Sequence, residues 1–169
     1  MRACIDLMAD TMVSVSRGEV TLPLRSVVGL GNSGNAFIAM PGATGRPAAF
    51  GAKLVSYFPG NPGLPAVQGV IVVFDPATGQ PVALVDAPAV TALRTAAASG
   101  MATRLLARED AESLALLGTG VQAESHLEAM LAVRPIKRVF VWGRSREKAR
   151  AFVERNSGRA AIEMIAKSD

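Results

Sequence analysis

The chain has few residues of the kinds that build disulfide frameworks and metal centres. Its 169 residues include one cysteine, one histidine, one tryptophan and one tyrosine. One cysteine cannot form an intrachain disulfide, and without clustered histidines or carboxylates we predict no metal site and a reducing compartment, the cytoplasm. Lysine and arginine number 18 against 14 acidic residues, a net charge of +4, but they form no basic run. No nucleic-acid partner is therefore predicted.

Long apolar runs are also missing. A membrane-spanning helix needs about 20 consecutive apolar residues, and no segment approaches that length. Asp6 and Asp10 lie where a signal peptide needs an apolar stretch, so we predict no membrane partner. Hydrophobic residues make up 50% of the chain but aromatic residues only 5%, so aliphatic side chains must build the core of a globular protein.

The N-terminal part of the chain has a helix followed by sheet-like segments. Residues 3–17 have apolar side chains at helical spacing, and Gly18 follows as a stop signal. Four apolar runs separated by turn residues then predict a sheet, at residues 36–40, 48–56, 67–75 and 81–85. The turn 75–79 predicts an antiparallel hairpin. An alanine-rich helix is predicted from the cap Asp86 to about Ala107.

The C-terminal part predicts a βαβ unit with a glycine-rich turn. The predicted elements are a strand over 113–117, a helix over 121–133, a strand over 138–142, a helix over 145–155 and a strand over 160–165. After the first strand the sequence reads Gly118-Thr119-Gly120-Val121-Gln122-Ala123, a G-x-G-x-x-A motif. Gly118 permits the tight turn, and Gly120 lets a pyrophosphate approach the backbone. We predict dinucleotide binding, with a plain tight turn as the alternative.

The end of the second strand in this unit indicates which dinucleotide binds. An NAD site has Asp or Glu about 20 residues after the glycines, whereas an NADP site has a cation there. The sequence reads Trp142-Gly143-Arg144-Ser145, with no carboxylate before Glu147. Because a guanidinium binds phosphate in a bidentate manner, Arg144 with Ser145 favours NADP over NAD. The alternative is a solvent-exposed arginine at the start of a helix.

Several short segments are informative as an ordered set. They are Pro23-Leu24-Arg25, Met40-Pro41, Gly51-Ala52-Lys53-Leu54-Val55-Ser56, Asn61 with Gly63-Leu64-Pro65, Thr78-Gly79-Gln80-Pro81, Thr91-Ala92-Leu93-Arg94-Thr95-Ala96-Ala97-Ala98 and the glycine turn. Together they resemble the ornithine cyclodeaminase/mu-crystallin family. This family includes ketimine reductases, alanine dehydrogenases and Δ1-pyrroline-2-carboxylate reductases.

The resemblance implies an α/β fold and a homodimer. An α+β substrate-binding and dimerisation domain is expected over residues 1–90, a connecting helix over 91–110, and a partial Rossmann NAD(P)-binding domain over 111–169. A complete dinucleotide fold has two mononucleotide-binding halves, and only the first is expected here. The family's catalytic aspartate lies in the second half, so we expect the chain to be a fragment, with an exposed sheet edge at its last strand.

The resemblance also implies roles for individual residues. Arg25 and Lys53 are expected at the substrate carboxylate, Lys53 also as proton donor, and Arg94 in contact with substrate and cofactor. The other expected cofactor contacts are Gln68, Thr95, Gly118, Gly120, Val121, Gln122, Arg144 and Ser145. Residue chemistry supports the cations, because a small anionic substrate needs fixed positive charge and a lysine among apolar groups can move protons. The only histidine, His126, is expected at an exposed helical position.

The expected function is therefore NAD(P)H-dependent reduction of an imino acid, such as Δ1-pyrroline-2-carboxylate, to the amino acid. One alternative is ornithine cyclodeamination to proline and ammonia with recycled NAD. The absence of an aspartate near Gly143 argues mildly against it. The other alternative is an NADPH-binding protein or fragment without catalytic activity.

Overall fold

The computed structural model describes residues 1–165, which form four helices and nine strands. In chain order these are α1 (Arg2–Ser16), β1 (Val20–Thr21), β2 (Ser26–Gly29), β3 (Ala36–Gly45), β4 (Ala48–Tyr57), β5 (Val67–Phe74), β6 (Pro81–Asp86), α2 (Ala87–Leu106), β7 (Ser113–Leu117), α3 (Val121–Val133), β8 (Arg138–Trp142), α4 (Arg146–Asn156) and β9 (Ala161–Met164). The mixed α/β class is confirmed.

Two compact units divide the described chain. The antiparallel unit comprises residues 11–91, and the parallel unit comprises residues 1–10 together with the described residues from 92 onward. The expected domains 1–90, 91–110 and 111–169 stay a prediction, and residues 166–169 of the last one lie outside the described part.

The antiparallel unit is built on one six-stranded sheet. The strand order is β1-β3-β4-β5-β6, and β2 pairs with the same edge of β3 as β1 does. The apolar runs did not predict β1 and β2, and β3 continues five residues beyond the predicted end at Met40, through Pro41. Pro41 lacks an N–H group. The strand tolerates it because β2 pairs with residues 36–39 and β1 with 43–44, which leaves Pro41 between them.

The predicted hairpin between β5 and β6 is confirmed. Gly79 has φ of 74°, and the Asp75 N–H donates to the Gln80 carbonyl at 2.8 Å. The Asp75 carboxylate accepts hydrogen bonds from the Thr78 N–H at 2.8 Å, the Thr78 hydroxyl at 3.0 Å and the Ala77 N–H at 2.9 Å. These bonds lower the pKa of Asp75, and the bond from the Thr78 N–H has the largest effect.

The parallel unit contains the predicted βαβ arrangement. Strands β7, β8 and β9 are parallel and lie in that order, and α3 and α4 connect them. The strands and α3 have the predicted bounds to within one residue, and α4 is shifted by one residue. Buried side chains from β7, α3, β8 and α4 form its main core, namely Leu116, Leu127, Val139, Val141 and Phe152.

A second core cluster explains the alanine content of α2. Ala96 and Ala97 of α2 are fully buried with Ile5 of α1 and Ala129 of α3. A Cβ on Gly100 would lie 2.9 Å from the Ile5 side chain. Small residues therefore allow these helices to pack closely. At the N-terminus of α2, the predicted cap is present, because the Asp86 carboxylate accepts from the Ala89 N–H at 2.6 Å.

The described residues include neither a membrane-spanning helix nor a cluster of metal-ligating side chains. No helix within residues 1–165 is both long and apolar enough to cross a membrane. No three His, Cys, Asp or Glu residues in the same range are grouped so as to hold a metal ion.

Candidate functional site

The glycine turn of the parallel unit has the backbone geometry that phosphate binding requires. Gly118 has φ of 137°, which favours glycine, and its N–H donates to the Trp142 carbonyl at 2.8 Å. Gly120 is the extended N-cap of α3 and makes no side-chain capping bond. The first N–H groups of a helix have no intrahelical acceptors, so the N-terminus of α3 presents donors and partial positive charge to an anion.

Open space next to this turn is consistent with a bound dinucleotide. A Cβ on Gly120 would meet no atom within 4 Å, so the backbone there is approachable. A Cβ on Gly143 would lie 2.9 Å from the Thr119 side chain, so glycine lets the turn come close to the end of β8. The donor-rich helix terminus and this opening together fit a pyrophosphate.

A cleft of about 720 Å³ lies at the carboxyl ends of β7 and β8. Its lining comprises Leu117, Gly118, Thr119, Gly120, Trp142, Gly143, Arg144, Ser145 and Lys148. This is where parallel α/β sheets bind ligands. The lining contains two cations, Arg144 and Lys148, and no carboxylate, because Glu147 is not part of it. The predicted residues Gly118, Gly120, Arg144 and Ser145 are therefore brought together, and the cleft favours an anionic group.

Ser145 has its hydroxyl proton available at this cleft. Its Oγ accepts from the Lys148 N–H at 3.2 Å and thereby caps α4. Because that bond uses a lone pair and not the proton, the hydroxyl can still donate to an anion. Lys148 lines the same cleft and was not among the residues predicted from the sequence. Its position three residues after the capping serine, on the first turn of α4, was the available signal.

His126 is partly buried and bonded on both ring nitrogens, unlike the exposed position expected from the sequence. Its Nδ1 lies 2.6 Å from the Gln122 carbonyl oxygen, and its Nε2 lies 3.0 Å from the Ser99 hydroxyl. A carbonyl only accepts, so Nδ1 carries a proton and donates to the Gln122 oxygen. This chain of bonds ties α2 to the first turn of α3. Gln122 and His126 also line a cavity of about 340 Å³ with Gly118 and Gly120.

Two further predicted residues lie on α2 in the parallel unit. Arg94 is exposed to solvent. The Thr95 hydroxyl oxygen is shielded from solvent and has no hydrogen-bond partner among the described residues. A buried hydroxyl without a partner costs free energy, so Thr95 is a position that a bound molecule or water would satisfy. Val121, the first residue of α3, is exposed and contributes its N–H to the helix terminus.

The predicted substrate cations share a separate cleft in the antiparallel unit. This cleft has a volume of about 610 Å³ and is mostly apolar, with Leu22, Leu24, Met40, Phe50, Ile71 and Val73 in its lining. Arg25, in the loop between β1 and β2, and Lys53, on β4, both line it. Charges in apolar surroundings attract an anion more strongly than charges in bulk water, so the cleft suits a small carboxylate.

Lys53 makes a specific contact that the sequence did not predict. Its Nζ lies 2.5 Å from the Thr91 hydroxyl, which in turn lies 2.6 Å from the Ala87 carbonyl. The residues are 38 positions apart, so no local pattern indicates the pair. The structure does not bring Gln68 into the lining of this cleft. Gln68 is exposed near the start of β5, where its Cα pairs with Ser56, whereas Lys53 pairs with Ile71.

The chain is similar to proteins of known function. A family model described as the ornithine cyclodeaminase/mu-crystallin family matches residues 1–169. The Δ1-pyrroline-2-carboxylate reductase of Bacillus cereus is 35% identical over 156 residues, which cover 91% of this chain and 48% of that protein. The ketimine reductase mu-crystallin of Mus musculus is 36% identical over 143 residues, which cover 83% and 46%.

A solved structure extends the similarity to the fold. It is the Thermococcus litoralis Δ1-pyrroline-2-carboxylate reductase in complex with NADH and L-proline, which matches with a TM-score of 0.90 and 32% identity. The match covers 98% of this chain and 52% of that chain. The chain thus spans about half the length of the curated relatives it matches.

Proposed function

The chain belongs to the ornithine cyclodeaminase/mu-crystallin family, and from this premise we propose that it acts in NAD(P)H-dependent reduction of small imino acids such as Δ1-pyrroline-2-carboxylate. The main observation in support is the apolar cleft that Arg25 and Lys53 both line. An imino acid of this type has an anionic carboxylate and an apolar ring, and the cleft offers cations among apolar side chains. The names of the Bacillus cereus and Thermococcus litoralis relatives agree with this chemistry.

The cofactor would be held by the parallel unit. Gly118, Gly120 and the free N–H groups of Val121 and Gln122 would bind the pyrophosphate. Arg144, Ser145 and Lys148 would bind a 2′-phosphate on the adenosine ribose, which is the reason to favour NADP over NAD. Arg94, Thr95 and Gln68 are proposed as further contacts. A bound nicotinamide supplies the hydride that reduces C2 of the imine.

Lys53 is the proposed proton donor. Reduction of the C=N bond at carbon leaves the imine nitrogen with an electron pair, and the Lys53 ammonium would donate the proton that forms the new N–H bond. Solvent then returns a proton to Lys53. Arg25 would hold the substrate carboxylate, so that the reacting carbon and nitrogen are fixed relative to Lys53. The product is the amino acid.

The alternatives are separated by experiment. Cyclodeamination of ornithine would release ammonia with NAD. An NADPH-binding role without catalysis would give binding but no turnover.

We also propose that the protein forms a homodimer, by similarity to an archaeal alanine dehydrogenase dimer. The proposed cytoplasmic location rests on the single cysteine.

The test is to mix the protein with Δ1-pyrroline-2-carboxylate and either NADPH or NADH, and to follow the absorbance of the reduced nicotinamide. We expect oxidation that requires the imino acid and that falls at least about 100-fold in Lys53→Met, the size of effect typical of a lost proton donor. Ornithine with NAD is assayed in parallel for ammonia. No oxidation with either cofactor, with NADPH binding retained, would favour the binding role instead.

Cofactor preference is tested by removing or reversing the positive charges of the cleft. Arg144→Asp and Lys148→Gln are expected to weaken NADPH binding more than NADH binding, because only NADPH carries the 2′-phosphate. Arg146→Asp is the matched control, since Arg146 is exposed and outside the cleft lining. Dissociation constants from nicotinamide fluorescence give the ratio. An unchanged ratio in both cleft variants would contradict the preference for NADP.

A further inference from the structure

The hydroxyl of Thr91 has one proton and two neighbours, which fixes the direction of both hydrogen bonds. The Ala87 carbonyl at 2.6 Å can only accept, so the Thr91 proton goes to Ala87. Towards Lys53 the Thr91 oxygen can therefore only accept, and the Nζ at 2.5 Å must be the donor. The sequence of bonds runs from Lys53 through Thr91 to the backbone of the first turn of α2.

This arrangement is compatible with both protonation states of Lys53. The ammonium has three N–H donors and the neutral amine has two, so either form can donate to Thr91. The bond is stronger when the donor carries charge, and it therefore favours the ammonium. A lysine that gives up a proton and regains it would keep its contact with Thr91 throughout the cycle.

Lys53 has a long, flexible side chain, and such a side chain is costly to hold in one conformation. Its cross-strand neighbours on β3 and β5 are Met40 and Ile71, whose side chains are apolar. Arg25 is the other charged residue in the cleft lining and carries the same sign. The Thr91 oxygen on α2 supplies a directional acceptor for the Lys53 ammonium, and this bond connects α2 to β4.

We propose that Thr91 is the positioning residue for Lys53: it fixes the Nζ and favours its charged form. The effect on reaction rate rests on the proposed function, whereas the effect on the amine itself does not. The two parts can be tested separately.

The test of the amine uses Thr91→Val, which keeps the shape and removes the acceptor, and Thr91→Ser, which keeps the hydroxyl. Thr21→Val on β1 is the matched control, because Thr21 is exposed and outside the cleft lining. Each protein is labelled with limiting acetic anhydride over a pH series, and acetylation of Lys53 is measured by peptide mass spectrometry relative to Lys137. Thr91→Ala provides a second variant without the acceptor, and circular dichroism verifies that each variant is folded.

Only the neutral amine reacts, so loss of the acceptor should increase labelling of Lys53 about three- to tenfold below the midpoint of its labelling curve. The curve should shift to lower pH in Thr91→Val and Thr91→Ala, and should stay near wild type in Thr91→Ser and Thr21→Val. Unchanged labelling curves in the Val and Ala variants would overturn the proposal.

The test of the reaction measures imino acid reduction in the same variants. We expect Thr91→Val to lower kcat/KM and shift its pH profile, and Thr91→Ser to restore both. Wild-type turnover with unchanged rates, pH profile and labelling in Thr91→Val would refute the inference and leave the proposed function standing. A shifted labelling curve in a protein without turnover would refute the proposed function and leave the Thr91–Lys53 assignment standing.

Discussion

Arg134→Met is expected to lower the free energy of unfolding of the parallel unit by about 2 kcal/mol, because the Arg134 guanidinium binds the end of α2. Its Nε donates to the Arg108 carbonyl at 2.8 Å, and its Nη1 donates to the Val133 carbonyl at 2.7 Å. Its Nη2 lies 2.7–2.8 Å from the carbonyls of Thr103, Arg104 and Ala107. The last carbonyls of a helix lack intrahelical donors, and Arg134 supplies donors there; of the acceptors on α2, the Thr103 carbonyl also accepts from the Ala107 N–H at 3.0 Å.

The magnitude follows from the burial of those acceptors. The bonds to the Val133, Thr103 and Ala107 carbonyls are partly buried, whereas those to Arg108 and Arg104 are exposed. Water replaces a lost donor at an exposed carbonyl. At a partly buried carbonyl, loss of the only donor lowers the free energy of unfolding by about 1 kcal/mol. The Thr103 carbonyl keeps its bond from the Ala107 N–H, so the Val133 and Ala107 carbonyls account for about 2 kcal/mol. The loss of a cation at the helix C-terminus adds less than about 1 kcal/mol.

The assay is urea unfolding followed by tryptophan fluorescence. Trp142 is the only tryptophan and lies on β8, so the signal reports on the parallel unit that contains Arg134. Arg138→Met is the matched control, because the hydrogen bond from Arg138 to the Ser113 hydroxyl is long, at 3.5 Å, and exposed. The control should stay within about 0.5 kcal/mol of wild type. If Arg134→Met shows an equally small change, the assigned role of Arg134 is wrong.

Two other predictions concern the turn of the antiparallel unit and the link between α2 and α3. Asp75→Asn should be less stable than wild type at neutral pH, because the pKa of Asp75 is lowered from 3.8 by bonds that favour the carboxylate. The Asp75 carboxylate stabilises the fold above its unfolded pKa, and this stabilisation is lost as pH falls through the lower folded pKa. The difference in unfolding midpoint between wild type and Asp75→Asn should therefore shrink at acidic pH. A difference that stays constant down to strongly acidic pH would contradict the prediction. His126→Ala and Ser99→Ala should each weaken NADPH binding several-fold, since both break the chain of bonds to the Gln122 carbonyl. Titrations that give wild-type affinity for both variants would show that the link has no role in binding.

The regular elements were predictable because their signals are local. The strand β7, the turn at Gly118 and the helix α3 each follow from residues within a few positions of one another, and the structure has them at the predicted places. The segments β1 and β2 were not predicted, because their four or fewer residues have no buried alternation and are defined by pairing with β3. Pairing partners distant in sequence leave no local pattern.

The same distinction separates the predicted site residues from the missed ones. Arg144 and Ser145 could be identified by their distance from the glycines. Thr91 could not, since its role depends on Lys53, which is 38 positions away. For His126, the sequence indicated a helix but not the bond to Ser99, which is 27 positions earlier. Contacts of this kind depend on how elements pack, and packing is set by the whole core and not by one segment.

Helix α2 nevertheless contains a signal that a sequence can show. Its packing against Ile5 and Ala129 needs only small side chains, which alanine and glycine provide. Hydroxyl residues add nothing to such packing and lower helix propensity relative to alanine. They recur here at every fourth position, at Thr91, Thr95, Ser99 and Thr103, and at about 100° per residue the four span roughly 120° of the helix surface. Thr91 and Ser99 have long-range polar partners, and the Thr95 hydroxyl is buried without a partner among the described residues. Hydroxyls at helical spacing in an alanine-rich helix therefore indicate positions selected for contacts beyond the helix.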